Sequence, residues 1–190
     1  MKSGVRILGI AESYQTEMST LCGAVTTTGG ILDGCEFTEC TVGGTDVTDS
    51  ILSLWSAIDR PDIQAVLLSG VALAWYNIVE LHRVNSSIPV PVIAITYEES
   101  EGLREAIETE FDETDALVRL QAYETLPQRR EISVNGKSLY VRSPGDVKDI
   151  VEIIRAVTPA GGRPEPVRVA RILARAADQY HHAARAKPES

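Results

Sequence analysis

The sequence is short of the groups that staple a fold, span a bilayer or coat a polyanion. It has three cysteines, Cys22, Cys35 and Cys40, an odd set without the close pairing that a zinc site needs, so each is expected to be a buried thiol. Lysine is confined to Lys2, Lys137, Lys148 and Lys187. With 27 acidic against 18 basic residues the formal net charge is −9, which argues against a protein that coats nucleic acid through a generally basic surface. A nuclease remains allowed, because its basic groups can be local and metal-binding carboxylates add negative charge of their own. No apolar run approaches the roughly 20 residues of a membrane span. The first residues run straight into a strand-like segment without the apolar stretch of a secretory signal, and the expected location is cytoplasmic.

What is present suits one globular domain. The 190 residues are 44% hydrophobic and 24% charged, enough chain to bury a core without covalent staples. The expected domain covers residues 1–180, and the polar segment 181–190 is expected to fray. Val5 to Ile10 reads as a buried strand, and Ser19 to Thr28 and Ile31 to Thr41 as two more, joined by a Gly29-Gly30 turn. A helix opens at Thr45 or Asp46 and runs to about Ile58, burying Val47, Ile51, Leu54 and Ile58 at helical spacing. Ile63 to Leu68 is a buried strand, a second helix is predicted around Trp75 to Val84, and Val90 to Thr96 is another strand. This strand, helix, strand order implies a parallel crossover. Further on, Leu103, Ile107 and Phe111 share one helical face, Asn135-Gly136 marks a hairpin, and helices follow Pro144 and Pro164. Three antiparallel strands followed by two parallel ones predict an α/β fold of ribonuclease H-like type: a mixed five-stranded sheet flanked by helices, with a small extra β-hairpin.

The residues that could carry chemistry gather where strands end. Glu12 follows the first strand, Asp46 and Asp49 open the first helix, Ser69 ends the fourth strand, and Glu98, Glu99 and Glu101 follow the fifth. Carboxylates at the carboxyl ends of parallel strands suit hard divalent ions such as Mg²⁺ or Mn²⁺, which would polarise a phosphodiester and activate water. Each also has a plainer reading. Asp46 is equally a helix cap, Asp49 a first-turn acid favoured by the helix dipole, and the glutamates a solvated helix start. Glu12 has no obvious structural duty. Trp75 reads as core, whereas Tyr76 could stack on a base and Asn77 read its edge. His82 reads as surface or packing.

Six strings carry a resemblance: residues 9–14 (GIAESY), 42–49 (VGGTDVTD), 68–70 (LSG), 74–79 (AWYNIV), 96–103 (TYEESEGL) and 164–171 (PEPVRVAR). Together they resemble the archaeal endonuclease dU family. The resemblance implies a fold related to endonuclease V and ribonuclease H, and an endonuclease that cuts DNA containing deoxyuridine with a divalent ion. Acids of endonuclease V correspond here to Ala11, Ser69 and Arg171, with Glu12 beside the first and Asp46 matching the acid that opens the helix. On that mapping Glu12, Asp46 and Asp49 are the expected metal ligands, and Glu12, Asp46 and Glu98 the expected catalytic groups. Ser69, Tyr76 and Asn77 are the expected substrate contacts. The alternative is a non-catalytic nucleic-acid or nucleotide-binding module of the same fold, and a third reading is an interaction scaffold using the helix from Glu101 to Phe111.

Overall fold

The computed structural model describes residues 2 and 4–185. Strands β1 (Arg6–Tyr14), β2 (Met18–Thr27) and β3 (Leu32–Thr41) form an antiparallel meander. Helix α1 (Val47–Ile58) leads to β4 (Ile63–Leu68), which lies parallel to β1. A two-stranded ribbon, β5 (Ala72–Leu73) and β6 (Asn77–Ile78), precedes α2 (Leu81–Ser87) and β7 (Val92–Thr96), the latter parallel to β4. Helices α3 (Arg104–Glu110) and α4 (Glu113–Glu124), the hairpin β8 (Arg130–Val134) and β9 (Lys137–Arg142), and helices α5 (Val147–Ala156) and α6 (Glu165–Arg185) complete the described residues. Among the described residues no helix is long and apolar enough to cross a membrane.

The expected mixed sheet is present and larger than five strands. The Asn135-Gly136 hairpin turns with both residues at positive φ, as a two-residue loop requires. It is not a separate appendage: β9 pairs antiparallel with β7, extending the sheet to seven strands in the order β3-β2-β1-β4-β7-β9-β8. Alternation along the strands then divides the core in two. Leu8, Ile10, Val66 and Leu68 face the side covered by α1 to α4, while Ile7, Leu67, Ile93 and Ile95 face α5 and the start of α6.

Three expectations are corrected. No helix starts at Trp75; the chain makes the β5–β6 ribbon there and the helix begins at Leu81. Cys35 is exposed, while Cys22 and Cys40 are buried, because β3 is an edge strand and α6 covers β1 and β2 rather than β3. The segment expected to fray from residue 181 is helical through Arg185; residues 186–190 lie outside the described residues.

Helix α6 is seated unusually deep. Its inward positions Ala170 and Ala174 pack on Ala11, Cys22 and Ala24, and at its N-terminal end the backbone of Pro166 comes so close that a Cβ on Gly9 would lie 2.1 Å from the Pro166 carbonyl carbon. That obstacle is backbone, which cannot rotate aside. Gly9→Ala is therefore expected to destabilise the fold by about 1–3 kcal/mol or more, read as a lower urea midpoint. Gly4→Ala, where a Cβ meets nothing within 4 Å, is expected to leave the midpoint unchanged; equal midpoints for the two variants would refute the seating.

Candidate functional site at the carboxyl ends of the parallel strands

Strand β1 does not stop before the acid. It pairs with β2 in regular register through Tyr14, with Glu12 opposite Leu21, so adjacent side chains alternate and Ala11 faces α6 while Glu12 faces the other layer. Glu12 is half-buried and accepts a hydrogen bond from Ser19 Oγ at 3.2 Å. Burial pushes its carboxyl above the usual range, against the pull of the Ser19 hydroxyl, the Arg171 guanidinium and the Ala74 N–H. Glu12 and Asp46 lie on the same side of the sheet: burial, then Asp46, then Glu12 hold the Cys40 thiol up at about 12.

Asp46 is nevertheless committed elsewhere. It makes no cap to its own helix. Its carboxylate turns back to β3, accepting from the Thr41 N–H at 3.0 and 3.1 Å, from Thr41 Oγ1 at 2.8 Å and from Asn77 Nδ2 at 2.7 Å. Although burial opposes it, these hydrogen bonds hold the carboxyl below its ordinary value. Asn77, fully buried, also donates to the Thr41 carbonyl at 3.0 Å and accepts from the Val47 N–H at 3.1 Å. It therefore caps α1 from a distant strand, supplying the acceptor that the first helical amide needs. Every polar atom of its amide is engaged, and it has no edge left for a base.

The other expected residues are also distributed. Asp49 is exposed and ion-paired with Arg83 of α2. Glu98 is exposed beyond β7, its backbone carbonyl accepting from Arg129. Tyr76 is half-buried, edge-on to Phe111 with ring centroids 6.0 Å apart. Ser69 continues β4 with its N–H on the Ile10 carbonyl at 2.9 Å, and its buried hydroxyl has no hydrogen-bond partner among the described residues. No group of three or more His, Cys, Asp or Glu that could hold a metal ion comes together among the described residues. Mg²⁺ keeps several of its waters and takes as its protein donor set one or two carboxylates free to reach a common point. Glu12, Asp46 and Asp49 do not form that donor set, because the second is saturated and the third faces Arg83.

What does converge is a mixed set of charges in which arginines outnumber glutamates by one. Beyond the ends of β4 and β7 lies a crevice of about 640 Å³, lined by Ser69 and Tyr97, by four arginines, Arg129, Arg142, Arg163 and Arg171, and by three glutamates, Glu98, Glu99 and Glu101. Arg129 stacks on Tyr140 at 3.9 Å and Arg163 over Tyr97 at 5.0 Å, which holds planar guanidinium groups in place. Among the described residues no ion pair or side-chain hydrogen bond engages Arg163 or Arg171. Asp178 was missed by sequence reasoning. It is buried on α6 and accepts from Ser13 Oγ at 3.1 Å and Gln15 Nε2 at 3.2 Å, tying the helix to the end of β1. The series Val167, Ala170, Ala174, Asp178 carried the signal, since it puts that acid on the inward stripe.

A tight turn overhangs Glu12. Ala74, Trp75 and Tyr76 have φ of 44°, 61° and 55°, a run of non-glycine residues in the left-handed region that costs of order 1 kcal/mol each. The turn is held by the Gly43 N–H donating to the Ala74 carbonyl at 2.7 Å and the Val79 N–H to Val71 at 2.8 Å. Trp75, expected in the core, is 46% exposed, with its ring beside Gly43 and edge-on to Tyr76 at 5.5 Å.

Comparison with known proteins agrees with this architecture. The family model described as endonuclease dU matches residues 3–178. A UPF0215 protein of Pyrobaculum aerophilum is 33% identical over 178 residues, spanning 91% of this chain and 94% of its own. A crystal structure of a protein of unknown function from Archaeoglobus fulgidus superposes with a TM-score of 0.80 at 24% identity, covering 90% of this chain and 97% of the other. Endonuclease V of Ciona intestinalis, solved with DNA containing an inosine, superposes at 0.60 and 13% identity over 93% and 86% of the two chains. The fold is ribonuclease H-like, as the element order predicted.

The two acids are expected to respond oppositely to pH. Glu12 has a raised carboxyl, so folding favours its protonated form: its contribution is fully present below the unfolded pKa and lost as pH rises through the folded one. Glu12→Gln should thus raise the unfolding midpoint at neutral pH and not at pH near 4. Asp46 is lowered, so its contribution is present above the unfolded pKa and lost as pH falls through the folded one. Asp46→Asn should destabilise at neutral pH, with the difference shrinking in acid. Urea unfolding across that range tests both, and parallel stability curves for the two variants would contradict the assignments.

Proposed function

The chain belongs to the endonuclease dU family, and from that premise we propose that it is an endonuclease that cuts DNA at deoxyuridine, the product of cytosine deamination, in repair. The observation that carries the reading is local: in a chain of net charge −9, four arginines, outnumbering the three glutamates beside them, line one crevice at the carboxyl ends of β4 and β7, where parallel α/β sheets receive ligands. Guanidinium groups match phosphate oxygens in geometry and charge. Arg171 links the crevice to Glu12, since it lines the one and its charge acts on the other.

In this reading the arginines seat the scissile phosphate and neutralise charge that grows on its oxygens during in-line attack. Glu12, whose basicity burial raises, takes the proton from the attacking water. Trp75, instead of Tyr76 or Asn77, offers an open ring face for the displaced base. Because Glu12, Asp46 and Asp49 do not assemble an ion-binding set, no step here passes through a divalent ion. That same finding favours one second reading, a nucleic-acid-binding module of this fold without cleavage.

The test is nicking of a duplex carrying a single deoxyuridine, with Mg²⁺ or Mn²⁺ supplied and with a chelator. Nicking that Glu12→Gln lowers by about 100-fold or more supports the endonuclease. Binding without nicking under either condition supports the module instead. Trp75→Ala is expected to weaken binding by about 1–3 kcal/mol per stacked base, with Trp75→Phe restoring most of it. In a Trp55→Phe background, where Trp75 is the remaining tryptophan, the same DNA should quench its fluorescence; unchanged emission would rule out stacking.

A further inference from the structure

Helix α6 buries one stripe against the sheet and turns another to solvent. The outward stripe holds Arg168, Arg171, Ile172 and Arg175, all exposed, and with Arg163 and Gln179 it lines a shallow cavity of about 450 Å³. The acids of this helix neutralise Arg168 and leave the rest of that stripe without an ion pair among the described residues. Glu165 pairs with Arg168 three residues on, and Asp178, three residues beyond Arg175, is buried and turned to Ser13 and Gln15. Among the described residues no carboxylate lies within ion-pair distance of Arg163, Arg171 or Arg175. Arg171 and Arg175, four residues apart and without ion pairs among the described residues, repel along the helix, a cost to the free protein that a polyanion would relieve.

We infer that this arginine face is a track for the backbone of a nucleic acid, continuous with the crevice and receiving the strand that flanks the reacting nucleotide. The inference rests on the nucleic-acid reading above, and extends it to a surface outside the crevice. Arg163 and Arg171 belong to both cavities, so the charge runs without interruption from one to the other. From Arg171 to Arg175 the helix rises about 6 Å, the axial length of roughly two phosphates on one strand of a duplex. The exposed Ile172 lies between the guanidinium groups, where it can contact sugar without competing for phosphate.

Arg175 lines the outer cavity and not the crevice, which makes it the discriminating position. Binding of a fluorescein-labelled duplex with one deoxyuridine would be followed by anisotropy as salt rises, for the native chain, Arg175→Gln, and Lys148→Gln as a charge-matched control on α5. Loss of one phosphate contact should flatten the slope of log K against log salt by about 0.9, so that over a fourfold rise in salt Arg175→Gln loses roughly 3.5-fold less affinity than the native chain. Lys148→Gln should keep the native slope, and Arg175→Lys should restore it. If Arg175→Gln and Lys148→Gln behave alike, the track is wrong whatever the nicking assay gives. A flattened slope in a protein that never nicks the duplex would uphold the track and remove the endonuclease. If Arg175→Gln alters self-association and leaves the salt slope intact, the face joins copies of the chain and the proposal is overturned.

Discussion

The contact between α6 and β1 at Gly9 is the constraint from which the rest of the arrangement follows. A helix normally keeps a side chain's thickness between its backbone and a sheet, yet here Pro166 leaves no room for a single methyl on Gly9. Alanines at positions 11, 24, 170 and 174 continue the close approach. Once the helix is pressed to that depth its rotation is fixed as well, because the small residues must face inward. Asp178 then falls on the end of β1, and Arg171 falls in the crevice wall, where its charge is felt by Glu12. A bulkier seam would tilt or lift the helix and carry the guanidinium away from the strand ends.

A second constraint ties the other layer to the same edge. Thr41, Asp46, Val47 and Asn77 belong to three elements and share one closed set of hydrogen bonds. The carboxylate that sequence pattern offers as cap or ligand is instead the acceptor that fixes the β3–α1 corner. Asn77 in turn anchors the ribbon whose turn holds Trp75 in a left-handed conformation. Partly buried polar networks are effective in this way only when all members are paired, and here they are. Architecture has taken Asp46 and Asn77 for this corner, leaving Glu12 half-buried with its carboxyl held above the usual range.

Much of the framework was legible in the amino-acid order. The Gly29-Gly30 and Asn135-Gly136 turns, the apolar spacing of α1 and the β-branched runs of β4 and β7 are local signals, and each element formed near its expected limits. The ribbon at Ala72–Ile78 was not legible, because its turn uses alanine, tryptophan and tyrosine where local preference calls for glycine or asparagine. Only tertiary contacts with Gly43 and Phe111 make that turn tenable. The partners of Asp46 were hidden for a related reason: Asn77 lies 31 positions away, and no short pattern announces such a pairing. The crevice arginines are likewise scattered at positions 129, 142, 163 and 171, invisible as a group until the hairpin joins the sheet and α6 is seated.

The joining of the β8–β9 hairpin to β7 has one more consequence, for the order in which the molecule can become competent. Glu12, Asp46, Ser69 and Trp75 all lie in the first half of the chain, and the four crevice arginines all lie after residue 128. During synthesis the first half could pair its strands while the arginine-bearing wall was still absent. The four arginines would come together only when the hairpin had zipped to β7 and the final described helix had closed over Gly9, so that completion of the sheet and assembly of that wall are the same event.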